Sequence, residues 1–520
     1  MLPLIQLYPL LMKFILLIIL ILIIFNFKIF LKMFKSIDRR TWIILFIIFF
    51  CGLMARLFII PHTHQVYFDE FEHINIAQNI FYSNKFCACA AGSAEVCNSC
   101  ELVQWPPGYH TFLSLMFSLF NDSEQVAFNT NAIIGSISII FIFLLIFLIF
   151  KNSSFALIGA FIFSFIPVHL KYSGSASLEI FSLFFMILCI ISLEIYVKTK
   201  KYASFLLFLI ILLYTVQIRP ENFLLIFIFS FYLMIKLSNQ IRKLFNTKYL
   251  ITILIFFIML IPLIQLINYT SLNSYQTYLT NHFMGWDGSL LTKISYIKHG
   301  FVSNFVLFLN YKFNPLILSF LFILGSIEAY LKNKKLFYYY ISFFLLFFLV
   351  YTYHMGNLYP GDTVRYSIIL YLPFIIISIN SINFILRHIA INRKVLIFLI
   401  ALIFLMSLVP TKNFIFSKHR LNNEYEFVLS MDDKLPSDVY IISYNTPIIT
   451  ATIHKKSISP YKFESFGLIG SEKNAILFKD FWWYDRLQQS NKFEDKLKEH
   501  YFFELIEKDF SYGFYNLTLK

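Results

Sequence analysis

Apolar residues run through this chain in long blocks that do not alternate with polar ones, and short polar breaks separate them. The blocks lie at 41–60, 126–150, 155–171, 179–196, 203–218, 222–237, 249–270, 313–330, 336–353, 366–386 and 395–411. A helical crossing of a bilayer takes about 20 apolar residues, and only helices or closed barrels satisfy the backbone there. With no two-residue alternation, the blocks predict about eleven transmembrane helices. Five of the breaks are strongly basic: KSIDRR at 35–40, VKTKK at 197–201, NQIRKLFNTK at 239–248, LKNKK at 331–335 and RHIAINRK at 387–394. The positive-inside rule assigns these to the cytoplasm. The stretches 61–125, 172–178, 219–221, 271–312, 354–365 and everything beyond 411 then share the opposite, extracytoplasmic side. Residues 4–32 form one more apolar run, broken by Lys13 and Lys28. That run either adds a twelfth crossing or precedes a start of translation at Met33.

Beyond residue 411 the pattern changes. Short β-type runs (DVYIISY, NAILF, YFFELI, YNLTL) mix with one helical stretch, DRLQQSNKFEDKLKEHY. This predicts a compact α/β domain over 412–520. The expected fold class is therefore an α-helical polytopic membrane protein, with its membrane domain at 33–411 and a small extracytoplasmic domain after it. Composition agrees: 58% of residues are hydrophobic, 14% are charged, and the mean hydropathy is +0.70. The formal net charge of +14 resides mostly in the basic breaks, which excludes nucleic acid as the natural partner.

Chemistry concentrates in the breaks on the extracytoplasmic side. YFDEFEHINIA, residues 67–77, sets Asp69, Glu70, Glu72 and His73 at the start of a predicted amphipathic helix over 69–82, lying at the outer membrane surface, with Phe71, Ile74 and Phe81 as its apolar stripe. Asp69 and Glu72 can cap that helix, or a carboxylate there can act as a base. VQWPPGYH at 103–110 carries Pro106 and Pro107, which suit either an interfacial anchor or a stiff entry to a site. Lys171 and Glu179 flank one break, Arg219 and Glu221 sit in the QIRPENF turn, and Asp362, Arg365 and Tyr366 stand at another boundary. Singly, each cation can snorkel to the interface; together on one face they suit an anionic headgroup. Cys87, Cys89, Cys97 and Cys100 crowd the first long loop, where either two disulfides or a zinc site would staple it. No other metal ligands suggest themselves, and a divalent metal requirement stays open.

These motifs in this order (FDEF after the first span, WPPGYH, SASLEIF, RPE in a hairpin, and RY followed by LP) resemble the GT-C glycosyltransferases. The likeness is to the branch of the dolichyl-phosphate-mannose protein mannosyltransferases and aminoarabinose transferases, and it covers about 33–411. The resemblance implies transfer of a sugar, with inversion, from a polyprenyl phosphate to a protein, lipid or glycan acceptor. It implies Asp69 as base, and Glu70 and Glu179 as walls of the sugar and acceptor pocket. Arg219, Arg365 and Lys171 would stabilise the leaving phosphate. Glu221, Tyr366, His73 and Pro107, in or beside the motifs, complete the candidate substrate-binding set. Two departures stand out: Trp105 precedes the Pro-Pro where a charged residue or His is common, and the four-cysteine insertion is foreign to the pattern. DFWWYDR at 480–486 resembles the Trp-Trp-Asp-Tyr-Gly signature of oligosaccharyltransferases in composition only, so Trp482 and Trp483 are expected as packing aromatics.

Two other functions fit a chain with many spans. An envelope polysaccharide polymerase or ligase would place its charges in a late, Arg-rich loop, and a lipid transporter or flippase would break its helices at mid-bilayer depth. The charge placement here favours neither. The topology has a direct test in intact cells. A cysteine from Thr199→Cys is expected to be shielded from an impermeant thiol reagent and one from Ser471→Cys to react; labelling at position 199 would overturn the assignment of sides.

Overall fold

The computed structural model describes residues 2–93, 95–103, 105–237, 246–273, 290–355, 362–509 and 512–520. The basic break at 239–248 and the loops at 271–312 and 354–365 lie partly outside them. Among the described residues eight helices are long and apolar enough to cross a membrane, or nine if one bent pair is a single span. Three predicted crossings, 203–218, 222–237 and 313–330, are the shorter helices Tyr202–Val216, Leu224–Leu237 and Leu316–Lys332. The block at 155–171 is the bent pair: Ser153–Ser164 and Pro167–Ser173 meet at 58°. Pro167 causes the break, because the residue before a proline is pushed out of helical geometry, and Ile166 is extended at ψ 122°. The apolar N-terminal run packs into the bundle, with Tyr8, Met12 and Ile15 buried.

Sequence blocks that look alike bury very differently. Leu178–Thr199 and Ser367–His388 are enclosed along most of their length. Arg393–Met406 buries only Leu396, Ile400 and Phe404, one residue per turn. A helix that is apolar all round yet buries a single stripe turns the remainder to lipid.

At one end of the bundle sits a seven-stranded mixed sheet. Its strands are β1 (Ala88–Gly92), β2 (Cys97–Glu101), β3 (Ile441–Ile442), β4 (Ser457–Ile458), β5 (Asn474–Lys479), β6 (Tyr501–Asp509) and β7 (Tyr512–Leu519), in the order β2-β1-β4-β3-β5-β7-β6. The C-terminal segment therefore does not build its sheet alone. The cysteine hairpin of the first loop supplies two strands, with Ala91 opposite Ile458 and Gly92 opposite Ser457. Its cysteines pair as Cys87–Cys100 and Cys89–Cys97. Trp483 is buried in the core of this domain, while Trp482 lies against Phe68 and Phe481.

The helix predicted at the membrane surface is instead an internal beam. Phe68–Ser83 is buried at every position from Glu70 to Ile80 except Glu72, which is half-buried. It packs on helix Gly108–Leu119 and, on its other flank, on Thr446–Thr452 and β1. Asn75 fixes it there, donating to Thr450 Oγ1 and accepting from Cys89 N, both at 2.8 Å. Its stripe residue Phe81 is exposed. The capping role considered for Asp69 and Glu72 is not taken up: the helix starts after Tyr67, with no side chain capping it.

The C-terminal domain reaches Tyr67 through a buried acid. Glu424 is fully buried beside Tyr67, Asn445 and Asp480; burial first, and then the Asp480 charge, pushes its carboxyl up to about 8. An acid that holds its proton more tightly folded than unfolded makes stability fall as pH rises from the ordinary carboxyl range to the shifted value. The unfolding temperature in detergent is accordingly expected to fall from pH 5 to about 8, and Glu424→Gln to make that fall shallower. An unaltered slope in the variant would exclude Glu424 as its source.

Candidate functional site

Two arginines meet beneath the C-terminal domain. Arg219 is brought by the turn that joins helix Tyr202–Val216 to the short Pro220–Phe223 helix, and Arg365 by the turn Asp362–Tyr366. Like charges this close need counter-charge between them, and Glu179 supplies it at the start of helix Leu178–Thr199. Its Oε1 lies 3.0 Å from Arg219 Nη1 and 3.3 Å from Arg365 Nε. Glu179 Oε2 is buried and has no hydrogen-bond partner among the described residues. Glu221 pairs with Arg219 Nη2, and Asp69 Oδ2 lies 2.7 Å from Arg365 Nη2. Both guanidiniums also face the Tyr366 ring, Arg219 at 4.8 Å and Arg365 at 5.1 Å from its centroid. A ring between two cations attracts each of them and spaces them apart. Six of the residues singled out in the sequence thus form one cluster: Asp69, Glu179, Arg219, Glu221, Arg365 and Tyr366. The side chain of Asp362 lies outside the described residues.

Neutral side chains set this geometry, and sequence reasoning passed them over. Asn222 donates to Thr215 O at 2.7 Å and to Ser182 Oγ at 2.9 Å, which ties the arginine turn to the helix of Glu179. Asn131 donates to Ser175 O and Ser177 O, both at 2.7 Å, and holds the segment entering that helix. Gly108, next to Pro107, donates its N–H to Gln217 O at 2.6 Å. A Cβ at 108 would lie 2.6 Å from that same oxygen, so only glycine permits the approach. Pro107 thereby delivers the backbone against the Arg219 turn rather than a side chain to a pocket. A polar residue directly after RPE, and a glycine after Pro-Pro, were the available signals.

The other candidates lie apart from the ionic cluster. Glu70 is fully buried and accepts four hydrogen bonds: Oε1 from Gln65 N at 3.0 Å and Val66 N at 2.9 Å, Oε2 from Ala176 N at 3.0 Å and His64 Nδ1 at 3.1 Å. Its lone pairs are thus spent on the loop before Asp69 and on the segment before Glu179. His64 also lies 3.4 Å from Glu124, which accepts from Thr452 and Tyr425 of the C-terminal domain. Burial opposes the charge of His64, but the Glu124 and Glu70 carboxylates outweigh it and lift the imidazole to about 9. Lys171 donates to Ser417 Oγ at 2.6 Å and lies over Phe414, on the connector to the C-terminal domain. His73 sits 3.0 Å from His110, whose Nδ1 faces Pro106 O. Burial, then the neighbouring His110, keeps His73 neutral. Trp105, off-pattern in the sequence, donates to Glu72 at 2.6 Å. Burial lifts that carboxyl to about 7 against the pull of the Trp105 N–H.

One backbone outlier adjoins the cluster. Tyr67, two residues before Asp69, has φ 52° and ψ −104°, a conformation costly for a side chain of its size. It is held from above by stacking on His419 and from the side by Phe71. Among the described residues no three His, Cys, Asp or Glu side chains converge to hold a metal ion.

Structures that share this architecture are known. The chain superposes on ArnT from Cupriavidus metallidurans, solved with undecaprenyl phosphate bound, at TM-score 0.56 and 9% identity, covering 92% of this chain and 97% of that one. The archaeal oligosaccharyltransferase AglB from Archaeoglobus fulgidus, solved with an inhibitory peptide and a dolichol-phosphate, gives TM-score 0.58 and 12% identity, covering 92% and 74%. The chain shares its fold with these two membrane proteins. Within it, residues 104–265 match the sequence profile of the dolichyl-phosphate-mannose-protein mannosyltransferase family. No curated protein matches by sequence. Arg219 and Glu179 fall inside the matched segment, whereas Asp69 and Arg365 lie outside it.

Glu70 offers a clean test of the site's scaffolding. Both of its oxygens accept, so Glu70→Gln must turn an amide N–H₂ toward buried donors, and an unsatisfied buried donor costs about 1–3 kcal/mol. Glu70→Gln is expected to lower the unfolding temperature and the yield of monodisperse protein. A variant as stable as wild type would show that those oxygens are not committed to the loop.

Proposed function

We propose that this protein is an inverting membrane glycosyltransferase that moves a sugar from a polyprenyl-phosphate donor to an acceptor hydroxyl, on the side opposite the basic loops. The observation that carries the reading is the convergence of Asp69, Glu179, Arg219, Glu221 and Arg365, drawn from four separate parts of the chain, into one ion cluster beneath the C-terminal domain. The shared fold supports it, as do the polyprenyl phosphates bound in the ArnT and AglB structures.

In this mechanism the two guanidiniums hold the phosphate, whose oxygens suit their forked donors. Glu179 Oε2, buried and without a partner among the described residues, accepts a sugar hydroxyl. Asp69 takes the proton of the acceptor hydroxyl while that oxygen attacks the anomeric carbon. The bond from that carbon to the phosphate oxygen breaks, and its electron pair leaves on the phosphate, where the arginines meet the growing charge. A single displacement inverts the anomeric centre, and no protein nucleophile takes part.

The test is transfer of a labelled sugar from a polyprenyl-phosphate donor, scored by release of the polyprenyl phosphate. Asp69→Asn is expected to lower the rate by roughly 10²-fold, the ordinary scale of a general base. Arg365→Ala is expected to lose transfer on a similar scale, with Arg365→Lys restoring only part, because an ammonium does not reproduce a forked pair. Wild-type rates in Arg365→Ala would remove the phosphate role from this residue.

A further inference from the structure

The cluster holds two guanidiniums and three carboxylates, so its cations are already neutralised before any phosphate arrives. The three acids are not equally committed. Glu179 bridges both arginines and its side chain is 2% exposed; Glu221 belongs to the same turn as Arg219 and is 17% exposed. Among the described residues Asp69 pairs only with Arg365, through one oxygen, and is 25% exposed. It is the carboxylate that an incoming anion displaces at least cost.

We propose that Asp69 is a placeholder for the donor phosphate: it occupies the Nη2 edge of Arg365 while the site is empty, and the phosphate evicts it on binding. This deepens the function proposed above and rests on it. The exchange involves no covalent change, only one anion replacing another on the same N–H donor. Its consequence is geometric: the Asp69 oxygen that now lies 2.7 Å from Arg365 Nη2 is released when the phosphate takes that donor, so the proposed base is free to meet the acceptor hydroxyl only when the donor is in place.

The experiment measures binding of undecaprenyl monophosphate to the purified full-length protein in nanodiscs, with no acceptor present. Removing a competing carboxylate should tighten binding even as it destroys transfer. Asp69→Asn is expected to bind the lipid roughly 3- to 10-fold more tightly than wild type, the scale of a partly exposed ion pair. Glu72→Gln, which takes a carboxyl from the same helix that faces Trp105, is expected to leave affinity unchanged. Equal or weaker binding by Asp69→Asn, or equal tightening by both variants, overturns the placeholder and leaves the donor assignment standing. No binding by wild type overturns both. Should Asp69→Asn not fold, infrared difference spectra of wild type on adding the lipid decide the matter. A shift in one carboxylate stretch is expected, and its absence refutes the exchange.

Discussion

Two arginines cannot share a buried site without a counter-charge, and in this protein one oxygen of Glu179 meets that demand for both. Burying ions is costly unless they are paired with good geometry, and removing one partner of a buried pair costs about 3–5 kcal/mol. That penalty makes the arrangement exacting. The Arg219 turn, the start of the Glu179 helix and the Arg365 turn must arrive within hydrogen-bond distance together, or none is tolerated. The uncharged fasteners serve this requirement: Asn222 and Asn131 fix the two turns, and Gly108 lets a third backbone pass close behind Arg219.

The C-terminal domain enters the same logic from above. Thr452 and Tyr425 bind Glu124, Glu124 faces His64, His64 faces Glu70, and Glu70 accepts from Ala176, three residues before Glu179. Glu424 and His419 meanwhile press on Tyr67, whose strained backbone aims the helix of Asp69. The domain therefore serves as the clamp on both ends of the acidic edge of the site.

What the sequence made visible was charge. An ion in a chain of this hydropathy needs a reason, so Asp69, Glu179, Arg219, Glu221, Arg365 and Tyr366 stood out, and the structure brings them together. What it concealed was written in neutral or backbone groups. Three of the four partners of Glu70 are peptide N–H groups, which leave no mark in the side-chain pattern, so Glu70 read as a wall of the sugar and acceptor pocket. His64 lay in a polar stretch among other plausible candidates. Helix Phe68–Ser83 carried enough polar residues to pass for a surface helix, because Asn75 and Glu70 find their partners inside the protein. The strand Ala88–Gly92 has neither alternation nor branched side chains. Its place in the sheet depends on meeting residues 457–458, and no local reading of composition reveals that.

That last pairing has a consequence for biosynthesis. β1 is made early, while its neighbour β4 emerges only after nearly every membrane helix has been synthesised. At ordinary ribosomal speeds the wait is roughly half a minute, with an unfilled strand edge open to wrong partners. Two cross-links within a hairpin of this size keep it folded through the interval, so that the late-arriving strand finds a finished template rather than a loose loop. Maturation of the site is thereby tied to the late-made segment: the contacts of Tyr425 and Thr452 with Glu124, and of His419 with Tyr67, form last.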